Sequence, residues 1–440
     1  YDNDGWADVL ITNSDGNKRN LLYKNIDGTE FDKVNESPFS TDINTSRSIS
    51  WTDYDLDNDL DLYICNENNE KNNLYQNDGQ GNFIKITNTE ITADFNSSMS
   101  SSWGDIDNDG DLDLFVANAR YFQEADNQLF INNGDGTFTQ SSTTVFEEDG
   151  GCSYSSSFAD IDNDADLDLL VTNGYCNSNL QEFLYVNDGL GNFSRSQGSL
   201  PDLPARCSYG CAWGDFNNDG FLDLVIAHCK NNSSQGAPEN SLYQNNGNDN
   251  HWLKIELKGT ISNKSAIGAK VKVKAEIDGE PVWQVREITT QSGHCSQNSM
   301  KAHFGLKNAV VVDSLIIEWP SGIKMKEAVL PVDTCLIITE DISDATIEFE
   351  KEIGSFSCFP NPVKESINIK AHFLKPVKTV QINMIDLQGR SIYKQMYSSA
   401  ETLEFSKELN MKNIGLSPGI YFCRLEVDGA LFTRKIILKP

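Results

Sequence analysis

Apolar residues along this chain recur at every second position, in short runs rich in β-branched and aromatic side chains and bounded by Gly, Asn and Asp. No segment sustains an apolar stripe at 3.6-residue spacing, so strands and turns are predicted throughout. The runs are ordered. WTDYDLDNDLDLYICN from Trp51, WGDIDNDGDLDLFVAN from Trp103, FADIDNDADLDLLVTN from Phe158 and WGDFNNDGFLDLVIAH from Trp213 are copies of one segment, and YDNDGWADVLITN opens the chain as a fifth. The leading aspartates Asp53, Asp105, Asp160 and Asp215 are 52, 55 and 55 residues apart. A second refrain follows each copy: NLLYKNIDGTEF, NNLYQNDGQGNF, NQLFINNGDGTF, EFLYVNDGLGNF and NSLYQNNG, which read as strand, Asn/Asp/Gly turn, strand. Each unit therefore holds about four short strands. A tandem four-stranded unit of some 50 residues that cannot bury both faces alone predicts the blades of a β-propeller.

Within each copy acids fall at positions 1, 3, 5 and 9 of a loop, in the pattern DxDxDGxxD. The side chains at these places are Asp53, Asp55, Asp57 and Asp61; Asp105, Asp107, Asp109 and Asp113; Asp160, Asp162, Asp164 and Asp168; Asp215, Asn217, Asp219 and Asp223; and, in the opening copy, Asp2, Asp4 and Asp8. Four carboxylates within nine residues repel one another unless a hard divalent cation with six to eight oxygen ligands sits among them, which favours Ca2+ over the stricter Mg2+, about one ion per intact loop. Position 7 is expected to add its backbone carbonyl. An EF-hand is excluded: position 12 is Ile11, Ile64, Val116, Val171 or Ile226 instead of a bidentate Glu, and lies in a strand pattern. The turn glycine is replaced by Asn58 and Ala165, and Ala165 is the harder to fit, because position 6 calls for a left-handed backbone.

These units resemble the FG-GAP/VCBS repeats that build the heads of integrin α-chains and many bacterial surface proteins. The resemblance covers about residues 1–248, implies a calcium-bound propeller of seven blades, and so leads to the expectation that at least two blades lie upstream of Tyr1.

From Asn250 longer alternating strands follow, HWLKIELKG, AIGAKVKVKAEIDG, VWQVREITT, VDSLIIEWPSG and TCLIITE, which predict a small β-sandwich over 249–342. NHWLKIELKGTISNKSAIGAKVKV, REITTQSGHCSQNSMKAHFGL and SLIIEWPSG resemble the ASPIC/UnbV domain, which follows such propellers in the cartilage acidic protein family. After a linker at 343–353, residues 354–440 alternate as a sandwich of about seven strands would. Pro360-Asn361-Pro362, Asp386 with Gly389-Arg390, Leu416 to Tyr421 and the basic end Lys435 to Lys439 resemble the C-terminal sorting domain of the type IX secretion system of Bacteroidota. That resemblance implies export across the outer membrane to the surface or medium, with the secretion machinery as a partner and cleavage of the domain on delivery.

The fold class is thus all-β: a calcium-binding propeller followed by two small β-sandwiches. Charge sharpens the division. Residues 1–248 hold 11 Lys+Arg against 42 Asp+Glu, net −31; residues 249–350 hold 11 against 15, net −4; residues 351–440 hold 13 against 8, net +5. The acidic part repels phosphate backbones and anionic lipid, so nucleic acid is not an expected partner. No run approaches 18 consecutive apolar residues, so no transmembrane segment is expected. The ten cysteines fit no CxxC-paired zinc or redox spacing; Cys152 with Cys176, and a pairing within Cys207, Cys211 and Cys229, are candidate disulfides, while Cys65 and Cys423 read equally as small buried thiols.

His294 and His303 have no nucleophile elbow beside them and QSGHCSQ does not fit GxSxG, so no catalytic residue is expected. The leading function is binding or adhesion of a glycan or protein outside the cell; the alternatives are a carbohydrate-active lyase or hydrolase on a propeller scaffold and a purely structural matrix component. An Arg, Tyr and His cluster at one opening would favour the enzyme, and aromatic-rich loops there would favour binding.

Overall fold

A computed structural model describes the chain apart from residues 16–18, 121–122, 144, 147–149, 177–179, 197–205, 231–238, 342–352, 360–362, 387–390, 428–429 and 440. It separates into two compact units: Tyr1–Ser321 with Glu327–Glu340, and Gly322–Lys326 with Asp341–Pro440.

In the first unit each repeat forms its own antiparallel sheet. The second sheet runs Ser46–Thr52, Asp61–Asn66, Asn73–Gln76, Ile84–Ile86; the third Ser98–Gly104, Asp113–Asn118, Gln128–Asn132, Phe138–Gln140; the fourth Ser153–Ala159, Asp168–Asn173, Phe183–Asn187, Phe193–Arg195. Among the described residues the first sheet has three strands, Val9–Ile11, Leu21–Ile26 and Glu30–Val34, and the fifth has Ser208–Gly214, Asp223–His228 and Ser241–Tyr243. The leading strands pack on one another in chain order, and small residues let them approach: Ser50 and Ser101 share a hydroxyl hydrogen bond of 2.7 Å, and the Ser102 hydroxyl donates to Ser156 O at 2.8 Å. Between sheets lie apolar layers such as Ile106, Phe115, Phe158, Leu169 and Tyr185. This is the propeller arrangement of four-stranded sheets side by side.

The second refrain supplies the stitching. Its asparagine donates its backbone N–H to the position-9 aspartate of its own sheet: Asn77 to Asp61 at 2.8 Å, Asn132 to Asp113 at 2.9 Å, Asn187 to Asp168 at 3.0 Å and Asn245 to Asp223 at 2.8 Å. The same residue's amide then donates to the position-2 carbonyl of the preceding loop: Asn132 to Tyr54 O at 2.9 Å, Asn187 to Ile106 O and Asn245 to Ile161 O at 2.7 Å. One asparagine thus ties loop, hairpin and neighbouring sheet, which gives the refrain its purpose.

The middle segment forms two sheets. His251–Lys258 lies between Ala302–Lys307 and a parallel Thr334–Thr339, and Lys270–Ile277 lies between Glu280–Glu287 and Val312–Glu318. Although read from sequence as a separate domain, it shares a compact unit with the sheets before it. Disulfides join Cys152 to Cys176 and Cys207 to Cys229, while Cys65, Cys211 and Cys423 are buried thiols.

In the second unit five strands are described, fewer than the seven or so expected, because Ser366–Asp386 and Ser391–Asn410 are long strands whose register shifts near Val377. Ile353–Phe359, Gly419–Val427 and Ala430–Leu438 complete the sheet around Ile367, Phe373, Ile382, Met384, Leu425 and Ile436. Pro360-Asn361-Pro362 and Gly389-Arg390 fall outside the described residues.

Positive φ occurs at position 6 of every loop, including Asn58 (74°) and Ala165 (83°), and also at position 4: Asn3, Asn108, Asn163 and Asn218 at 55–61°, but Leu56 at 62°. Asn tolerates this region, whereas a γ-branched side chain is strained there by about 1–2 kcal/mol. Leu56→Asn is therefore expected to stabilise the unit by about 1 kcal/mol, seen as a higher denaturation midpoint; an unchanged or lower midpoint contradicts the strain.

Candidate metal loops and an aromatic cluster

The opening loop leads into Val9–Ile11, and in the second to fifth sheets each loop turns between the first and second strands. The position-1 aspartate closes it by accepting the N–H groups of positions 5 and 6: Asp53 from Asp57 (3.0 Å) and Asn58 (2.8 Å), Asp160 from Asp164 (3.1 Å) and Ala165 (3.0 Å), Asp215 from Asp219 (3.1 Å) and Gly220 (2.8 Å). With positions 4 and 6 both left-handed, alternate side chains converge. Oxygens of Asp53, Asp55 and Asp61, of Asp105, Asp107 and Asp109, and of Asp160, Asp162 and Asp164 lie within 4.8 Å of one another in three separate groups. Asp57, Asp113 and Asp168 belong to the same loops but not to these groups, and among the described residues Asp2, Asp4, Asp8, Asp215, Asn217, Asp219 and Asp223 form no such group.

The three groups are electrostatically incomplete. Buried carboxylate oxygens without a hydrogen-bond partner occur at Asp55, Asp59 and Asp61, at Asp105, Asp107 and Asp111, and at Asp166. Such groups ordinarily cost about 1–3 kcal/mol each when left unmade. Burial is the largest cause of raised proton affinity in every case, and neighbouring carboxylates add to it: Asp59, Asp105, Asp111 and Asp160 are pushed up to about 7, Asp113 to about 8 and Asp61 to about 9. An all-oxygen donor set of this charge fits a hard divalent cation.

Sequence reasoning assigned only the carbonyl of position 7, yet three copies carry an acid there: Asp59, Asp111 and Asp166. Their side chains lie beside the hairpin glycines Gly79, Gly134 and Gly189. The alternation of five acids, absent where Phe221 and Trp6 occupy position 7, was the available signal.

The middle segment presses cations on the loops. The Lys270 ammonium pairs with Asp53, the Lys254 ammonium with Asp215, and the Arg286 guanidinium lowers the proton affinity of both Asp105 and Asp160. Gly305 N–H donates to Asp160 Oδ2 at 3.0 Å, and His303 Nε2 lies 3.0 Å from Gly220 O. His303 and His294 are pulled down to about 4, in both cases chiefly by burial.

At the other end of the leading strands the residues after Ser46, Ser98, Ser153 and Ser208 are Arg47, Met99, Tyr154 and Tyr209. Tyr154, Tyr175 and Tyr209 pack with ring centroids 5.4–5.7 Å apart, and His294 approaches Tyr154 and Tyr209 at 6.1 and 6.0 Å. Tyr209 is 37% exposed. Arg47 pairs with Glu67 at 2.6 Å, and Glu67 lines a cleft of about 290 Å³ with Asn68, Asn69, Met99, Arg120 and Gln123.

The fold and loops define a repeat β-propeller protein with carboxylate loops. Three family models then match in order: the FG-GAP-like repeat over residues 1–64, 53–116 and 109–171, ASPIC and UnbV over 259–345, and the secretion system C-terminal sorting domain over 357–439. The chain carries all three, and the last makes it a secreted or cell-surface protein. Cartilage acidic protein 1 of Xenopus tropicalis is 27% identical over 270 residues, 59% of this chain and 39% of that protein, and the mouse protein is 26% identical over 273 residues, again 59% and 39%. The chain thus spans well under half the length of these relatives. Looser likenesses link it to a solved Lactobacillus plantarum protein (12% identity, 90% of this chain and 98% of that one, TM-score 0.34) and to the Dos1 propeller (10%, 84% and 90%, 0.30). No helix among the described residues is long and apolar enough to cross a membrane.

A carboxyl raised above its unfolded value near 3.8 holds its proton in the folded chain after the unfolded chain has released it, so metal-free stability declines as pH rises from that value through the folded one. Between pH 6.5 and 8, above the unfolded value of histidine, the carboxyls at about 7 to 9 set the slope. In chelator the melting temperature is expected to fall across this window, and in calcium the slope should flatten; a flat or rising trend in chelator contradicts the reading.

Proposed function

We propose that this is a calcium-stabilised binding protein of the cell exterior, delivered by the type IX machinery of a Bacteroidota bacterium, whose ligand is a saccharide or a glycan-bearing protein. The carrying observation is the half-exposed cluster of Tyr154, Tyr175 and Tyr209 with Arg47 at the ends of the leading strands, beside a cleft lined by Asn68, Asn69, Arg120 and Gln123. With His294 this is the Arg, Tyr and His make-up expected of an enzyme, but burial pulls the His294 imidazole down to about 4 and its ring centroid stays 6.0–6.1 Å from those of Tyr154 and Tyr209, so the cluster reads as an aromatic contact surface. Tyrosine faces stack on the apolar faces of sugars, and amide and guanidinium groups take the hydroxyls. Burial, with the hydrogen bond to Tyr175 next, pushes the Tyr209 phenol up to about 12, which supports a contact role for the ring over that of a base. The ions hold the loops that position these strands, so calcium acts through folding.

The enzyme alternative draws on a cavity of about 150 Å³ lined by Trp103, Trp213, Arg286, Glu287 and His303, where burial pushes Glu287 up to about 7. A glycan-array screen separates the two. In the binding reading Tyr209→Ala weakens the captured glycan at least about tenfold, about 1.4 kcal/mol, with the melting temperature held and no glycan cleaved. Retained affinity in the variant contradicts it, and cleavage abolished by Glu287→Gln transfers the assignment to the cavity.

A further inference from the structure

The Asp215 loop has the spacing of its neighbours and a different chemistry. It keeps three acids, because position 3 is Asn217 and position 7 is Phe221, where the Asp53, Asp105 and Asp160 loops have five. Every carboxylate oxygen in it already has a partner. Asp215 Oδ1 accepts from Asp219 N, and Oδ2 from Gly220 N and the Lys254 ammonium. Asp219 accepts from Phe221 N at 3.0 Å and from the Asn217 amide at 2.7 Å; Asp223 accepts from Phe216 N at 3.0 Å and Asn245 N at 2.8 Å. No orphaned carboxylate oxygen of the kind found in the other three loops occurs here.

Lys254 is itself held in place. It comes from the strand His251–Lys258, is 3% exposed, and lies over the Trp252 ring at 4.8 Å. Trp252 fills the space beside Gly220, where an added Cβ would fall 1.9 Å from the ring, and His303 closes on Gly220 O. The loop is packed against this junction, so the ammonium cannot swing away without opening it.

We propose that Lys254 is a tethered monovalent counter-ion that replaces the divalent cation in the Asp215 loop, converting a repeat metal site into a fastening between the last sheet and the middle segment. Lysine alone does not suffice where five acids gather: Lys270 reaches Asp53, and oxygens of Asp55, Asp59 and Asp61 remain unpartnered. The Asp2 loop follows the same rule, with the Lys24 ammonium 2.5 Å from Asp2 and 3.1 Å from Asp4. The proposal rests on the calcium reading of the other three loops.

Calcium bound per chain is counted by equilibrium dialysis and atomic absorption on chelator-stripped full chain, with melting followed in chelator and in calcium. Asp109→Asn is expected to lose one ion and Asp219→Asn none. Lys254→Met should melt lower than the parent in chelator, take up one additional ion and recover the lost melting temperature in calcium, while Lys254→Arg keeps the parent count. Loss of one ion in Asp219→Asn overturns the proposal, as does a Lys254→Met chain that neither gains an ion nor recovers with calcium. A parent chain that binds none overturns the calcium reading of the five-acid loops, and Lys254→Met still reads the Asp215 loop: uptake of one ion sustains the tethered lysine and no uptake overturns it.

Discussion

The mutual repulsion of carboxylates crowded into short buried loops is the constraint on which the first unit depends. Five acids alternate through each of three loops, and alternation alone would spread them. Left-handed backbone at positions 4 and 6 and the N–H groups gathered by the leading aspartate bring them together instead. The resulting concentration of buried negative charge is tolerable only with protons or cations among it. The ammonium and guanidinium groups of the middle segment supply part of that charge, and the donor sets of the three loops fit a divalent cation for the rest. Most of the negative charge behind the net −30 lies in the repeats that carry these loops.

The same aspartates organise the neutral parts of the fold. Position 9 receives the backbone of the refrain asparagine, and that residue's amide crosses to the preceding loop. A loop that loses its shape therefore loosens its own hairpin and the next sheet together. The middle segment adds a second level of coupling by resting Lys254, Lys270, His303 and Gly305 on the loops, which is why it shares a compact unit with the sheets. Tyr154 and Tyr209 stand at the far ends of strands whose other ends begin these loops, so rigid loops give a fixed spacing to the rings.

Much of this was legible in the sequence. The strand count per repeat, the exclusion of an EF-hand and the convergence of alternate acids follow from the period and from residue chemistry, and Cys152 and Cys176 stand close enough in the chain to suggest their bond. Three features were hidden for physical reasons. The tolerance of Ala165 for φ of 83° is imposed by the surrounding loop, against its own preference. The lysines on Asp53 and Asp215 lie 217 and 39 residues from their partners, and only packing reveals such pairs. The repeat period relates Tyr154 to Tyr209, 55 residues apart, but nothing in the spacing brings Tyr175 and His294 to them. The change of composition after residue 248 marks where the repeats give way to the middle segment, but it carries no sign that the two pack into one compact unit.

The account stands or falls on ions in the five-acid loops, and the most direct test is an anomalous difference map from crystals of the full chain grown with calcium or a lanthanide substitute. It predicts a peak ringed by carboxylate oxygens in each of the Asp53, Asp105 and Asp160 loops. A map with no peak in any of these three, from protein whose loops keep the shape described, would contradict it.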